Sequence, residues 1–471
     1  MATLKKAQKR NTLRYAEYYD LTATFDKLYA DSKSGKIFTN LVEIISSRDN
    51  ILLAYRELKR NKGSMTAGTD KLNIRDIEKI PTEKFVCAVQ KKLDWYAPRP
   101  VKRVEIPKDN GKTRPLGIPS IWDRIVQQCI LQVLEPICEA KFHERSNGFR
   151  PNRSTEHAIA QCMRMIQIQD LHFVVDIDIE GFFDNVNHAK LRQQMWTMGI
   201  RDKSLLCIVT KMLKAPIVMT DGKTVFPEKG TPQGGVLSPL LSNIVLNELD
   251  WWIASQWETM PMPSVPQNLN PNGGRNRGNE NKAMRKTALK EMYLVRYADD
   301  FKIFCRKRSD ANKAYLATKE WLAERLKLTV NDEKSKVVNL KKSYTDFLGF
   351  KLKAVPSGGK YKVRSHMSDK SFRKTQDLLN SLVQGIQNPE SEQEAHKAIN
   401  RFNAAVIGKH QYYQIATCVY EDFDRIAFHV NKTMKNRLKG RLKKTGKCRR
   451  GYIWDTYGKS AQMRFVDGYP I

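Results

Sequence analysis

Hydrophobic positions follow two rhythms along this chain. From Ile37 to about Arg75, a stretch containing NLVEIISSRDNILLAYRELKRNKG, apolar residues recur at three-to-four spacing and stop at a Gly turn, which predicts helices. A long middle then mixes short apolar runs with helical stretches. RVEIPKDNGKTRPLGIP (103–119) reads as a strand, a turn and a second extended run, and LVRYADDFKIFC (294–305) as two β-prone runs flanking Ala298-Asp299-Asp300 in a hairpin. FVVDIDIEGFFDNVNH (173–188) opens as an apolar strand with Asp176, Asp178 and Glu180 at alternate positions. GTPQGGVLSPLLSNIVLNELDWW (230–252) predicts a glycine-rich loop entering a long helix, with Ser238 as N-cap, Pro239 at the first position and Leu240, Leu241, Ile244, Val245 and Leu249 on its apolar face. From about Ser365 the spacing is helical again, in FRKTQDLLNSLVQGI and IATCVYEDFDRIAFHVNKTM. Two segments break these rhythms. Residues 1–34 are polar and basic, which predicts an arm, and residues 258–290, rich in Pro, Asn and Gly, predict a mobile surface insertion.

Charge changes the picture more than composition does. The 471 residues hold 82 Lys+Arg against 50 Asp+Glu, a formal balance of +32, while the charged fraction of 28% is close to the usual ~25%. The sign is the anomaly, and it points to a polyanionic partner. Ten Lys/Arg and no acid lie between Lys432 and Arg450, with Tyr452, Trp454 and Tyr457 close by to stack on unpaired bases. No run approaches the ~18 apolar residues of a membrane span, and the N-terminus lacks the apolar core of a secretion signal. The eight cysteines are scattered without a C-x-x-C pair, so neither zinc ribbons nor disulfides are expected, and a cytoplasmic location fits.

The acids are few and placed suggestively. Adjacent Asp299 and Asp300 repel, and oxygen ligands of this kind suit Mg²⁺. Asp176, Asp178 and Glu180 would share one face of a buried central strand, where unpaired acids are costly. Three carboxylates from two adjacent strands could hold two Mg²⁺ ions roughly 4 Å apart for in-line phosphoryl transfer, with Mn²⁺ as a substitute. Face alone does not choose between Asp176 and Asp178. Lys108, Lys112 and Arg114 would crowd the 103–119 hairpin and suit a triphosphate or nucleic-acid backbone. SNGFRPNRSTEHAI (146–159) presents Arg150 and Arg153 to phosphates and enters a helix at Ser154 or Thr155.

In this order, the basic hairpin, SNGFRPNRS, DIDIEGFFD, GTPQGGVLSPLLSN, YADD, LKLTVNDEKSK and FLGF resemble the blocks of reverse transcriptases, and most closely those encoded by bacterial group II introns. The resemblance covers residues 37–355 and, more weakly, the helical C-terminal region. It implies an α+β right-hand polymerase: a basic N-terminal arm (1–34), an N-terminal extension and fingers (35–170), a palm with an antiparallel catalytic sheet and the polar insertion 258–290 (171–360), and an α-helical thumb or maturase X domain (361–471). It makes Asp178, Asp299 and Asp300 the catalytic, metal-binding set. Lys108 and Arg114 would bind the dNTP triphosphate, Phe183 would exclude a ribose 2′-OH, and Gln233 would lie beside the nascent base pair. Lys334 would be the general acid for pyrophosphate, and Phe347, Leu348, Gly349 and Phe350 the primer grip. Intron RNA would meet Arg150 and Arg153 and the run containing Lys432, Lys435, Arg437, Lys439, Arg441, Lys443 and Lys444. The expected function is RNA-directed DNA synthesis on intron RNA, with assistance to splicing and retrohoming. Expected partners are group II intron RNA, an RNA template with a DNA primer, dNTPs and a DNA target, with no membrane and a homodimer as one form of assembly. The Cys/His cluster of the family's H-N-H endonuclease domain has no counterpart before Ile471, which predicts a form without that domain, natural or truncated. A maturase without polymerase activity, or a retron or diversity-generating enzyme, are the rival readings.

Overall fold

The computed structural model describes residues 14–107, 111, 113–262, 268–270 and 275–438. Six helices come first: α1 (Tyr15–Tyr18), α2 (Thr22–Lys33), α3 (Leu41–Ile45), α4 (Arg48–Arg60), α5 (Ile74–Glu78) and α6 (Thr82–Asp94). The antiparallel hairpin β1 (Val101–Pro107) and β2 (Thr113–Ile118) follows, then α7 (Ile121–Glu139). This last helix is the axis of the N-terminal layer, with Ile121, Ile125, Cys129 and Val133 wholly buried and α2, α3, α4 and α6 packed around it. The predicted arm is therefore corrected for residues 14–34. Leu21, Phe25 and Leu28 give the segment a narrow apolar stripe that docks it, and the Ser32 hydroxyl donates to Ile137 O at 2.7 Å. Residues 1–13 lie outside the described residues.

The central region contains α8 (Thr155–Gln167), β3 (Phe173–Ile177), α9 (Phe182–Asn185), α10 (His188–Thr197) and α11 (Lys203–Leu213). Next come the short strands β4 (Ile217–Val218) and β5 (Thr224–Val225), then α12 (Ser238–Gln256). After the two-residue strands β6 (Asn268–Leu269) and β7 (Arg275–Asn276) come α13 (Gly278–Met284), β8 (Met292–Tyr297), β9 (Asp300–Cys305), α14 (Arg308–Trp321) and β10 (Lys336–Asn339). Four strands form an antiparallel sheet in the order β10-β3-β9-β8. β3 is thus flanked on both sides, with Asp176 opposite both Lys302 and Lys336. α8, α12 and α14 cover this sheet. A second sheet, β2-β1-β4-β5, carries the basic hairpin beside it.

The chain closes with a three-stranded sheet, β11 (Thr345–Phe347), β12 (Phe350–Ser357) and β13 (Lys360–Met367), and three helices, α15 (Asp369–Gln387), α16 (Glu392–Tyr413) and α17 (Val419–Arg437). The helical spacing read for this region holds. Within the 258–290 insertion, residues 278–284 form a helix that composition did not predict: α13 buries Met284 and Glu280, the latter paired with Arg277. Arg277 also donates to Met260 O at 2.9 Å. Among the described residues no helix is long and apolar enough to cross a membrane, and seven cysteines are free.

Candidate active site

The β8–β9 hairpin turns in two residues. Tyr297 pairs with Asp300, so Ala298 and Asp299 form the tip and Asp300 is the first residue of β9. Ala298 takes φ +57°, one of the positive values that a tight two-residue hairpin requires. β3 stops at Ile177, and Asp178 sits just beyond it, beside this turn. Its own amide donates to Ser335 Oγ (3.1 Å), and its Oδ2 accepts from Lys334 Nζ at 3.1 Å. Glu180 is exposed beyond the end of the ladder, which corrects the expectation of three aligned acids on one strand face.

The structure separates the two aspartates that pattern alone left equivalent. Asp176 accepts from the buried Lys302 Nζ at 2.5 Å, and that ammonium also lies 3.8 Å from Asp300. Asp176 is therefore neutralised from within, and Asp178 is left facing the hairpin tip. Lost solvation pushes the Asp299 carboxyl above its ordinary range, Asp178 adds to this, and its own backbone N–H and Arg114 oppose it. Asp300 is pushed up to about 6, first by burial and then by Asp176, Asp299 and Asp178, against the pull of Lys302. Carboxylates gathered until two resist ionisation form a donor set that a hard divalent cation would relieve.

Arg114 on β2 reaches this cluster from the side. Its Nε donates to Gln233 Oε1 at 3.0 Å, and Gly117 N donates to Gln233 O at 2.6 Å. The glycines of the 230–235 loop are sterically required there: a Cβ on Gly234 (φ +116°) would stand 2.7 Å from Gly117 O, and one on Gly230 2.9 Å from Asp184 O. The loop is also held by His188, whose Nε2–H donates to Gly230 O at 2.7 Å. The helix after it begins at the predicted cap, Ser238, with Leu237 in the cap position. Ser238 instead turns its hydroxyl to Pro232 O at 2.8 Å, bracing the loop. Of the two phenylalanines on α9, Phe182 is buried and Phe183 only partly so, and Thr231 N donates to Phe183 O. Arg114 thus links Gln233 to the carboxylates, and Phe183 is tied to the same loop through Thr231. Lys108 and Lys112 lie outside the described residues.

Two expectations change. Arg150 is a structural residue: its side chain is 5% exposed, Nε and Nη2 donate to Glu139, and Nη1 donates to His143 O and Ser146 O. Arg153 is partly buried on the same loop, and Ser154 caps α8. Phe347 and Phe350 are core residues, so only Leu348 and Gly349 present themselves, as a two-residue turn with both φ positive. Lys432, Lys435 and Arg437 are on the last turns of α17. Lys439, Arg441, Lys443 and Lys444 fall outside the described residues.

Sequence reading missed the group that fixes the hairpin. Arg296 on β8 is wholly buried; Nε and Nη2 donate to Asp250 Oδ1 and Oδ2 (2.7 and 2.6 Å), and Nη1 to Asn243 Oδ1 (3.0 Å) and Ala298 O (2.8 Å). The signal was present in the sequence: an arginine within an apolar strand, and Asn243 and Asp250 seven residues apart on one face of an apolar helix.

A family model described as Reverse transcriptase (RNA-dependent DNA polymerase) matches residues 106–352, which include Arg114, Asp178, Phe183, Gln233, Asp299 and Asp300. The chain belongs to the reverse transcriptases. Protein YkfC of Escherichia coli (strain K12) is 32% identical over 329 residues, covering 66% of this chain and 82% of that protein. The group II intron-encoded protein LtrA of Lactococcus lactis subsp. cremoris is 30% identical over 370 residues, 70% of this chain and 60% of LtrA. The COX1/OXI3 intron 2 protein of Saccharomyces cerevisiae is 28% identical over 390 residues, 75% of this chain and 44% of that protein. The chain is thus similar to group II intron-encoded proteins, and it spans under two thirds of the length of the two intron-encoded relatives.

Proposed function

We propose that this reverse transcriptase copies intron RNA into cDNA and binds that RNA to assist splicing and retrohoming. One observation carries the polymerase reading: Asp178, Asp299 and Asp300 converge while Asp176 is neutralised by Lys302, and Arg114 links Gln233 to them. In this reading the 171–360 region is the palm, the helices and hairpin before it are the fingers, and α15–α17 are the thumb. Asp178, Asp299 and Asp300 would hold two Mg²⁺ ions, which when bound acidify the primer 3′-hydroxyl and neutralise the triphosphate. The new bond joins the 3′-oxygen to the α-phosphorus, and the α–β phosphoanhydride breaks. Arg114 and Lys108 orient the triphosphate, and the Phe183 ring excludes a 2′-OH. Lys334, already at Asp178, gives a proton to the departing pyrophosphate.

The test is extension of a DNA primer on an RNA template by the purified chain with Mg²⁺ and dNTPs. Asp299→Ala should abolish extension and leave RNA affinity nearly unchanged. Tight intron-RNA binding without cDNA under any divalent metal would leave a splicing maturase alone.

A further inference from the structure

The 146–153 loop was expected to offer arginines to nucleic acid, yet Arg150 is consumed internally. The residue the loop does offer is Phe149. It is 50% exposed and takes φ +55°, a left-handed conformation unfavourable for a bulky side chain. Both of its flanks are pinned. On one side Asn147 N donates to Arg296 O (2.9 Å) and the Asn243 amide donates to Gly148 O (2.8 Å). A Cβ on Gly148 would stand 2.3 Å from Ala298 N, so the loop lies directly against the catalytic turn. On the other side stands the Arg150–Glu139 pair. Between these anchors the backbone is forced left-handed and the ring is turned outward, 6.4 Å from the ring of Tyr297 and tilted by 48°.

Tyr297 immediately precedes the turn that holds Asp299. The rings of Phe149 and Tyr297 therefore stand together beside the turn that carries the carboxylates. An exposed ring in this position suits a base of any sequence, because every base has a π face. Strain kept at such a place is characteristic of a ligand contact.

We infer that Phe149 is a binding residue for the strand being extended, forming with Tyr297 the surface on which its 3′-terminal nucleotide stacks. The inference rests on the polymerase reading of Asp178, Asp299 and Asp300, but its first readout does not need catalysis. A DNA primer ending in 2-aminopurine, annealed to an RNA template without dNTPs, should lose fluorescence on binding the wild-type chain. Phe149→Gly removes both ring and strain, and Phe149→Leu keeps an apolar side chain without a ring; each should restore most of the fluorescence. Each should also raise KM for primer–template about tenfold while leaving kcat at saturation unchanged. Phe149→Gly should show no loss of thermal stability. No quenching by the wild type, wild-type quenching by either variant, or loss of quenching only at the unpaired template base would each overturn the assignment. A wild type that quenches but never extends the primer would refute the polymerase reading and leave the stacking surface standing.

Discussion

Asp176 lies on β3 and Asp178 just past its end, and what sets Asp176 apart is a buried lysine more than a hundred residues away. Lys302 lies directly across the ladder from Asp176 and neutralises it, which no pattern along β3 could reveal. Alternation made the acids visible; the cross-strand partner chose between them. The crowding left at the turn has a measurable sign. Asp300 has its folded-state pKa raised above the unfolded 3.8, so its ionisation costs stability as pH rises from about 4 to about 6 in metal-free protein. Asp300→Asn should therefore raise the metal-free Tm at pH 7.5, by about 1–2 °C once its partly exposed side chain is discounted, while abolishing extension. Calorimetry beside a primer-extension assay checks both halves, and a lower Tm would contradict the repulsion. Phe183→Ala should increase ribonucleotide incorporation, read by alkali cleavage of the product; unchanged selectivity removes the gate.

At the scale of elements, the strands, the hairpins and the long helices were legible because each has an apolar period of its own. The docking of residues 14–34 and 278–284 was not, because it rests on scattered apolar side chains and specific polar contacts within polar sequence. The Arg296–Asp250 pair was equally hidden, though it ties β8 to α12 and holds the carbonyl of Ala298. Arg296→Met leaves the Asp250 carboxylate buried and unpaired, so a stability loss of about 3–5 kcal/mol is expected in urea unfolding. Asp250→Asn with Arg296→Gln should recover part of it. If the double variant folds as well as wild type yet extends primers normally, the tether has no role in placing the turn.

For the whole molecule, the excess of +32 is the property most plainly written in the sequence and the least localised by the structure, because much of the basic C-terminal run lies beyond residue 438. Neutralising Lys432, Lys435 and Arg437 together should reduce the log–log salt slope of RNA binding by about 2–3, and an unaltered slope would make them a merely solvated face. Acid should loosen the fold from several places at once. His143, His172 and His188 are all held below 6.5 by burial, so the unfolded chain binds protons first and stability is lost as pH falls below that value. His188→Asn should blunt this acid sensitivity, as read by Tm between pH 7.5 and 5.5. Helix α12 gives the assembly one further property. Its first turn braces the loop that carries Gln233, and about 18 Å further along it grips Arg296 behind the catalytic turn. One helix thus braces the Gln233 loop from its first turn and holds the Ala298–Asp299 turn from its later turns. An inhibitor wedged under the loop would be felt at the carboxylates without touching them, and resistance to it could arise anywhere along the helix.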